Sequence, residues 1–129
     1  MTQTVIQRWH SFVETSNIAI LSELIADDAI FYSPVVHTPQ AGKQLCMMYL
    51  MGAMKVFSQG KFEYVGQWDN ESGTVLEFSA EVDGIIINGV DIIRWNADQK
   101  IVEFKVLVRP LKGVNTLHQK MKAMLEAMQ

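Results

Sequence analysis

Apolar residues recur at helical spacing in the first part of the chain and at every second position in much of the rest. From Thr4 to Thr15, Val5, Ile6, Trp9, Phe12 and Val13 share one side, with Gln7, Arg8 and Glu14 between them. That spacing predicts an amphipathic helix. Ser16-Asn17 offers a break and a new N-cap, and the stripe Ile18, Leu21, Leu24, Ile25 predicts a second helix running to Ala26. Asp27-Asp28 ends the pair, and Ala29 to Ser33 predicts a short strand cut off by Pro34. Pro34 to Gly42 reads as a loop. A third helix follows from Lys43 to Ser58, with Gly60 placed to end it. This helix is apolar nearly all round, so neighbours must cover most of it. Its methionines read as irregular gap fillers.

The remainder alternates. Phe62, Tyr64 and Trp68 are interleaved with polar or small residues, and Asn70 to Gly73 marks a turn. Leu76, Phe78, Ala80 and Val82 alternate with Glu77, Ser79, Glu81 and Asp83, which predicts one dry and one wet strand face. Asp83-Gly84 is a two-residue hairpin signal. Ile85 to Trp95 predicts a more continuously apolar strand, and Ile101 to Val108 alternates again. Arg109-Pro110 then opens a C-terminal helix striped by Leu111, Val114, Leu117, Met121, Met124, Leu125 and Met128. Helices followed by an antiparallel meander predict an α+β fold, with helices on one side of a curled sheet. No repeat or shift in composition divides the chain, so residues 1–129 read as one domain. A sheet bent around a long helix leaves a conical hollow, the kind of concave apolar place that small molecules occupy.

Charge narrows the function classes. The formal net charge is −3 and the basic residues are scattered, so the clustered basic face of a nucleic-acid binder is missing. Cys46 is the sole cysteine and sits among Leu45, Met47 and Met48, a setting that keeps a thiol protonated. It reads as a small buried hydrophobe. No His-x-x-x-His or paired carboxylates at metal spacing occur, so no metal is expected. No run approaches the ~20 apolar residues of a membrane span, and the opening MTQTVIQRWH lacks the pattern of a signal peptide. No membrane association and a cytoplasmic location are the expectations.

The segments Leu24-Ile25-Ala26-Asp27-Asp28-Ala29 and Ser33-Pro34, before a helix starting near Gly42, resemble the start of NTF2-like proteins. Gly89-Val90-Asp91-Ile92-Ile93-Arg94-Trp95, a turn, and Lys100-Ile101-Val102-Glu103 resemble their two long C-terminal strands. The likeness covers residues 4–109, and is to the SnoaL-like and ketosteroid-isomerase-like members, among them bacterial proteins without an assigned reaction. It implies a cone: a curved antiparallel sheet wrapped around N-terminal helices, plus a C-terminal helix. It also implies a homodimer and chemistry without a cofactor. A steroid isomerase of this family uses an aspartate base after the first strand, with a tyrosine and a protonated aspartic acid binding the oxyanion. By resemblance these fall on Ser33, Trp9 and Asp91. Ser33 cannot remove a carbon-bound proton unaided, and Trp9 brings no hydroxyl, so ketosteroid isomerisation by that mechanism is not expected. The same alignment puts Phe78, Phe104, Val106 and Val108 beside Trp9 in the wall of the hollow.

Asp91 is the sharpest candidate. Alternation aims it to the side of Gly89 and Ile93, where burial would raise its pKa above the ~3.9 reference and make it an acid or base. The competing account is a structural carboxylate bonded to a backbone amide, to Trp9 or to an arginine. His37, on a Pro-flanked loop that the resemblance places near the rim, offers a near-neutral pKa as a base; the plainer account is a loop histidine capping backbone groups. His10 and His118 read as solvent-facing. Arg109 either clamps a ligand carboxylate at the mouth or pairs with an acid of the protein. Two functions follow: a cofactor-independent isomerase, cyclase or hydrolase acting through Asp91 on a small apolar carbonyl or polyketide-like molecule, or a non-catalytic ligand-binding or dimerisation domain.

Overall fold

In the computed structural model the elements run α1 (Val5–Thr15), α2 (Ile18–Leu24), β1 (Ile25–Tyr32), β2 (Gln40–Ala41) and α3 (Lys43–Ser58). They continue with β3 (Lys61–Asn70), β4 (Gly73–Val82), β5 (Ile85–Trp95), β6 (Ile101–Arg109) and α4 (Leu111–Ala127). The structure describes residues 4–128; the first three residues of the opening stretch and residue 129, which bound the single-domain span, lie outside the described residues. Thr4 starts α1 with a capping box. Its hydroxyl accepts the Gln7 N–H at 3.1 Å while the Gln7 side chain accepts the Thr4 N–H at 2.9 Å. Asn17 caps α2 through the Ala19 N–H at 3.0 Å.

The second helix is shorter than its stripe. The chain turns extended at Ile25, because Asp27 and Asp28 stand exposed along β1 rather than ending a helix. The sheet order is β2-β1-β6-β5-β4-β3. Every pairing is antiparallel except β1 with β6, so the curved sheet is mixed, not wholly antiparallel. Asp83 (φ 52°) and Gly84 (φ 78°) form the tight β4–β5 hairpin, both in the left-handed region that such a turn demands. Gly60 does not end α3 by a left-handed cap. A Cβ there would lie 1.9 Å from the Glu81 carbonyl oxygen, so glycine is needed to let the chain pass β4.

Two apolar clusters fill the inner side. One joins Trp9 and Phe12 of α1 to Leu21, Leu24, Ile101 and Phe104 at the end covered by α1 and α2. The other joins Val56 and Phe57 of α3 to Phe78, Ile87, Leu117 and Met121. Leu117 and Met121 are the buried stripe of α4, which packs on α3 and on the inner side of β5 and β6. No described helix is long and apolar enough to cross a membrane.

Candidate functional site

Between the clusters lies a cavity of about 220 Å³. Strands supply Phe31, Phe62, Phe104 and Val106; α3 supplies Tyr49, Leu50, Met54 and Phe57; α4 supplies Leu117, Met121 and Leu125. The wall is therefore mostly aromatic and aliphatic, and its few polar groups stand out.

Asp91 is at the dry end. Opposite Leu76 on β4 and Val106 on β6, it faces inward and is only 6% exposed. Its Oδ2 accepts a hydrogen bond from the Tyr64 hydroxyl at 2.7 Å, and that hydroxyl accepts from Trp9 Nε1–H at 3.0 Å. Trp9, Tyr64 and Asp91 all line the cavity, so the chain of hydrogen bonds runs along its wall. Among the described residues Oδ1 has no partner. Burial raises the Asp91 carboxyl to about 7, opposed by the Tyr64 hydrogen bond, which favours the ionised form. Burial first, and then the neighbouring Asp91 charge, hold the Tyr64 hydroxyl well above its ordinary range.

Tyr64 carries no local sign of its role, because its partner Asp91 lies on another strand; the bulge in β3 misplaces only Trp68. Phe62 and Tyr64 face Ala80 and Phe78 on the inner side, but the register shifts between Tyr64 and Gly66. Trp68 then pairs with Val75 on the outer face and is 60% exposed. An unbroken alternation would have put all three aromatics on one side. His10 is another difference: it is half-buried, with its ring edge-on to Tyr64 at 5.4 Å between centroids.

Of the other residues singled out, Ser33, Phe104 and Val106 lie in the wall. The Ser33 hydroxyl is turned to its own loop, accepting the Val35 and Val36 N–H groups at 3.1 and 3.3 Å. His37 is exposed and outside the wall, for the loop turns outward after Val36. Phe78 lies outside too; it stacks at 5.2 Å behind Phe62, filling the space that Gly89 leaves open. Val108 packs with that second cluster, and Arg109 lies beside Asn88 on the outer side of the sheet, far from the role of a clamp at the mouth. The basic side chains that do line the cavity, His118 and Lys122, come from α4. Among the described residues no group of three or more His, Cys, Asp or Glu side chains is placed to hold a metal ion.

No protein-family model and no curated protein sequence matches the chain. Among solved structures, a steroid delta-isomerase from Pseudomonas aeruginosa is 34% identical over 96% of this chain and 90% of its own, with a TM-score of 0.91. A protein with a cystatin-like fold from Silicibacter pomeroyi is 28% identical over 92% and 83% of the two chains, with a TM-score of 0.84. An NTF2-like protein from Mesorhizobium loti matches at 22% identity over 82% and 88%, with a TM-score of 0.72, and shows the fold alone. With its cone of mixed sheet and helices, and a relative at 34% identity over nearly its whole length, the chain belongs to the NTF2-like superfamily, among its SnoaL-like and ketosteroid-isomerase-like members.

Proposed function

We propose that the cavity binds a small apolar molecule through a carbonyl or similar oxygen at Asp91, and that Asp91 acts on it by acid/base chemistry without a cofactor. The observation that carries this is the hydrogen-bonded chain from Trp9 through Tyr64 to Asp91, ending inside the cavity. A neutral Asp91 has an Oδ1–H to give to a ligand oxygen; an ionised one has an oxygen to take a proton. A carboxyl near pH 7 keeps both forms populated, the condition under which acid and base catalysis both work best. The similarity to a steroid delta-isomerase supports an isomerase-type reaction, with cyclase and hydrolase chemistry as its neighbours. Ser33, with its hydroxyl bound to loop amides, supplies no base, so Asp91 has to carry the proton traffic itself. A non-catalytic binder is the second reading, favoured by Asp91 being the sole carboxylate among the described residues of the wall.

Carbon NMR of the Asp91 carboxyl, assigned with Asp91→Asn, tests the proposal. The expected midpoint is near 7, moving when an aryl ketone is added. A midpoint at or below the ~3.9 reference would mean a solvated or salt-bridged group and would end the acid/base reading. We also infer a homodimer through the outer sheet face, where Val65, Trp68 and Leu107 are half or more exposed or nearly so. Sedimentation velocity should give twice the 14.6 kDa chain mass, and a monomer at all concentrations would remove that inference.

A further inference from the structure

We propose that the cavity's ligand is an oxo acid: a small ketone or aldehyde that also carries a carboxylate, with its carbonyl oxygen at Asp91 and its carboxylate at His118 and Lys122. The inference rests on the proposed function, since it assigns the second end of the same ligand. His118 and Lys122 are one helical turn apart on α4, so their side chains share a face. Both line the cavity and both are exposed, whereas Asp91 in the same wall is buried. The wall thus combines a buried acid that handles an oxygen with exposed basic side chains.

Among the described residues neither side chain is in an ion pair, while Lys120, two residues from Lys122 on α4, holds Asp83 at 2.8 Å. Asp91, the one carboxylate among the described residues of the wall, is bonded to Tyr64 through Oδ2 and not to His118 or Lys122. A protein of net charge −3 therefore offers an ammonium and an imidazole N–H beside an apolar cavity, an arrangement that attracts an anionic group. Arg109 does not compete for the role, lying beside Asn88 on the outer side of the sheet. The volume of about 220 Å³ falls under the ~300–1,000 Å³ of drug-sized sites, so one ring or a short chain is the scale of ligand that fits.

The probes are 3-benzoylpropionate and butyrophenone, the same aryl ketone ending in a carboxylate or in a methyl group. Calorimetric titration at low salt compares them on the intact chain and on Lys122→Gln, His118→Gln and the double variant. Because both side chains are exposed, these variants should fold. The wild type should bind the acid about fivefold or more tightly than the ketone, the scale of partly exposed ion pairs. The double variant should lose that preference and bind butyrophenone unchanged. Equal affinities in the wild type, or a preference that survives in the double variant, would overturn the oxo-acid assignment. If butyrophenone binds without any advantage for the acid, this inference fails and the cavity reading stands; if neither probe binds, both fail.

Discussion

Cys46 and Asp91 are two buried acids of one small protein, and they differ in nearly everything that burial does not decide. Both lose solvation, and the loss pushes both pKa values up. The Cys46 thiol starts from an ordinary value of 9.0 and rises to about 12, so burial removes it from physiological chemistry. The Asp91 carboxyl starts from 3.8 and rises to about 7, so the same force brings it into that range. Cys46 is 0% exposed inside the cluster of Trp9, Leu21 and Leu50, whereas Asp91 opens on a cavity and is tied to Tyr64. A perturbed pKa is thus no sign of a site by itself. It becomes one where a buried group also has a partner that orients it and room for something to react with.

The largest effect that separates the two acids is on folding. In the unfolded chain Asp91 titrates near ~3.9, and in the folded one near 7. Between those values the folded state holds the extra proton, so stability falls as pH rises, from its full value below about pH 4 to a floor above about pH 7. At ~1.36 kcal/mol per pH unit the fall is on the order of 4 kcal/mol. Urea unfolding of Asp91→Asn should show this slope gone, with the gain over wild type greatest near pH 8. Cys46→Ala should lower the whole curve by about 1 kcal/mol through lost packing and leave its shape between pH 4 and 7 untouched. A slope that persists in Asp91→Asn would mean that another carboxylate carries it, and the contrast between the two acids would collapse.

The difference between the two was half legible in the sequence. Apolar neighbours marked Cys46 as inert, and strand alternation aimed Asp91 inward with Gly89 and Ile93; both follow from local pattern. Trp9 and Asp91 could be brought together only through resemblance, since nothing local links residue 9 to residue 91. Tyr64 stayed hidden for a different reason. Alternation groups it with inward-facing Phe62, but nothing local separates a tyrosine that bonds a carboxylate on another strand from one that only packs; the bulge at Val65 misleads only about Trp68, which it sends outward. His118 and Lys122 were hidden because a polar residue beside a helix's apolar stripe looks the same whether it meets bulk water or a cavity mouth. The parallel β1–β6 pair is likewise a property of where the chain returns, not of either strand's residues. His37 and Arg109 were overvalued because a loop and a strand end say little about which way the last side chain turns.

Smaller effects should sharpen the contrast by grading what Asp91 has and Cys46 lacks. Tyr64→Phe removes the hydrogen bond that favours the carboxylate, so the Asp91 midpoint should rise above about 7, by on the order of one pH unit. Trp9→Phe leaves the Tyr64–Asp91 pair in place and removes the N–H that Tyr64 accepts at 3.0 Å, together with part of the indole's packing on Phe12 and Phe104. An accepted hydrogen bond polarises the hydroxyl and strengthens the bond that it donates, so its loss should raise the Asp91 midpoint in the same direction but less. Carbon NMR of the carboxyl in the three proteins should therefore place wild type lowest, Trp9→Phe between, and Tyr64→Phe highest. If Trp9→Phe equals wild type, Trp9 serves only as core, and the functional chain begins at Tyr64. If it equals Tyr64→Phe, the hydroxyl is held in place by Trp9 alone, and the indole is as much a part of the site as the phenol.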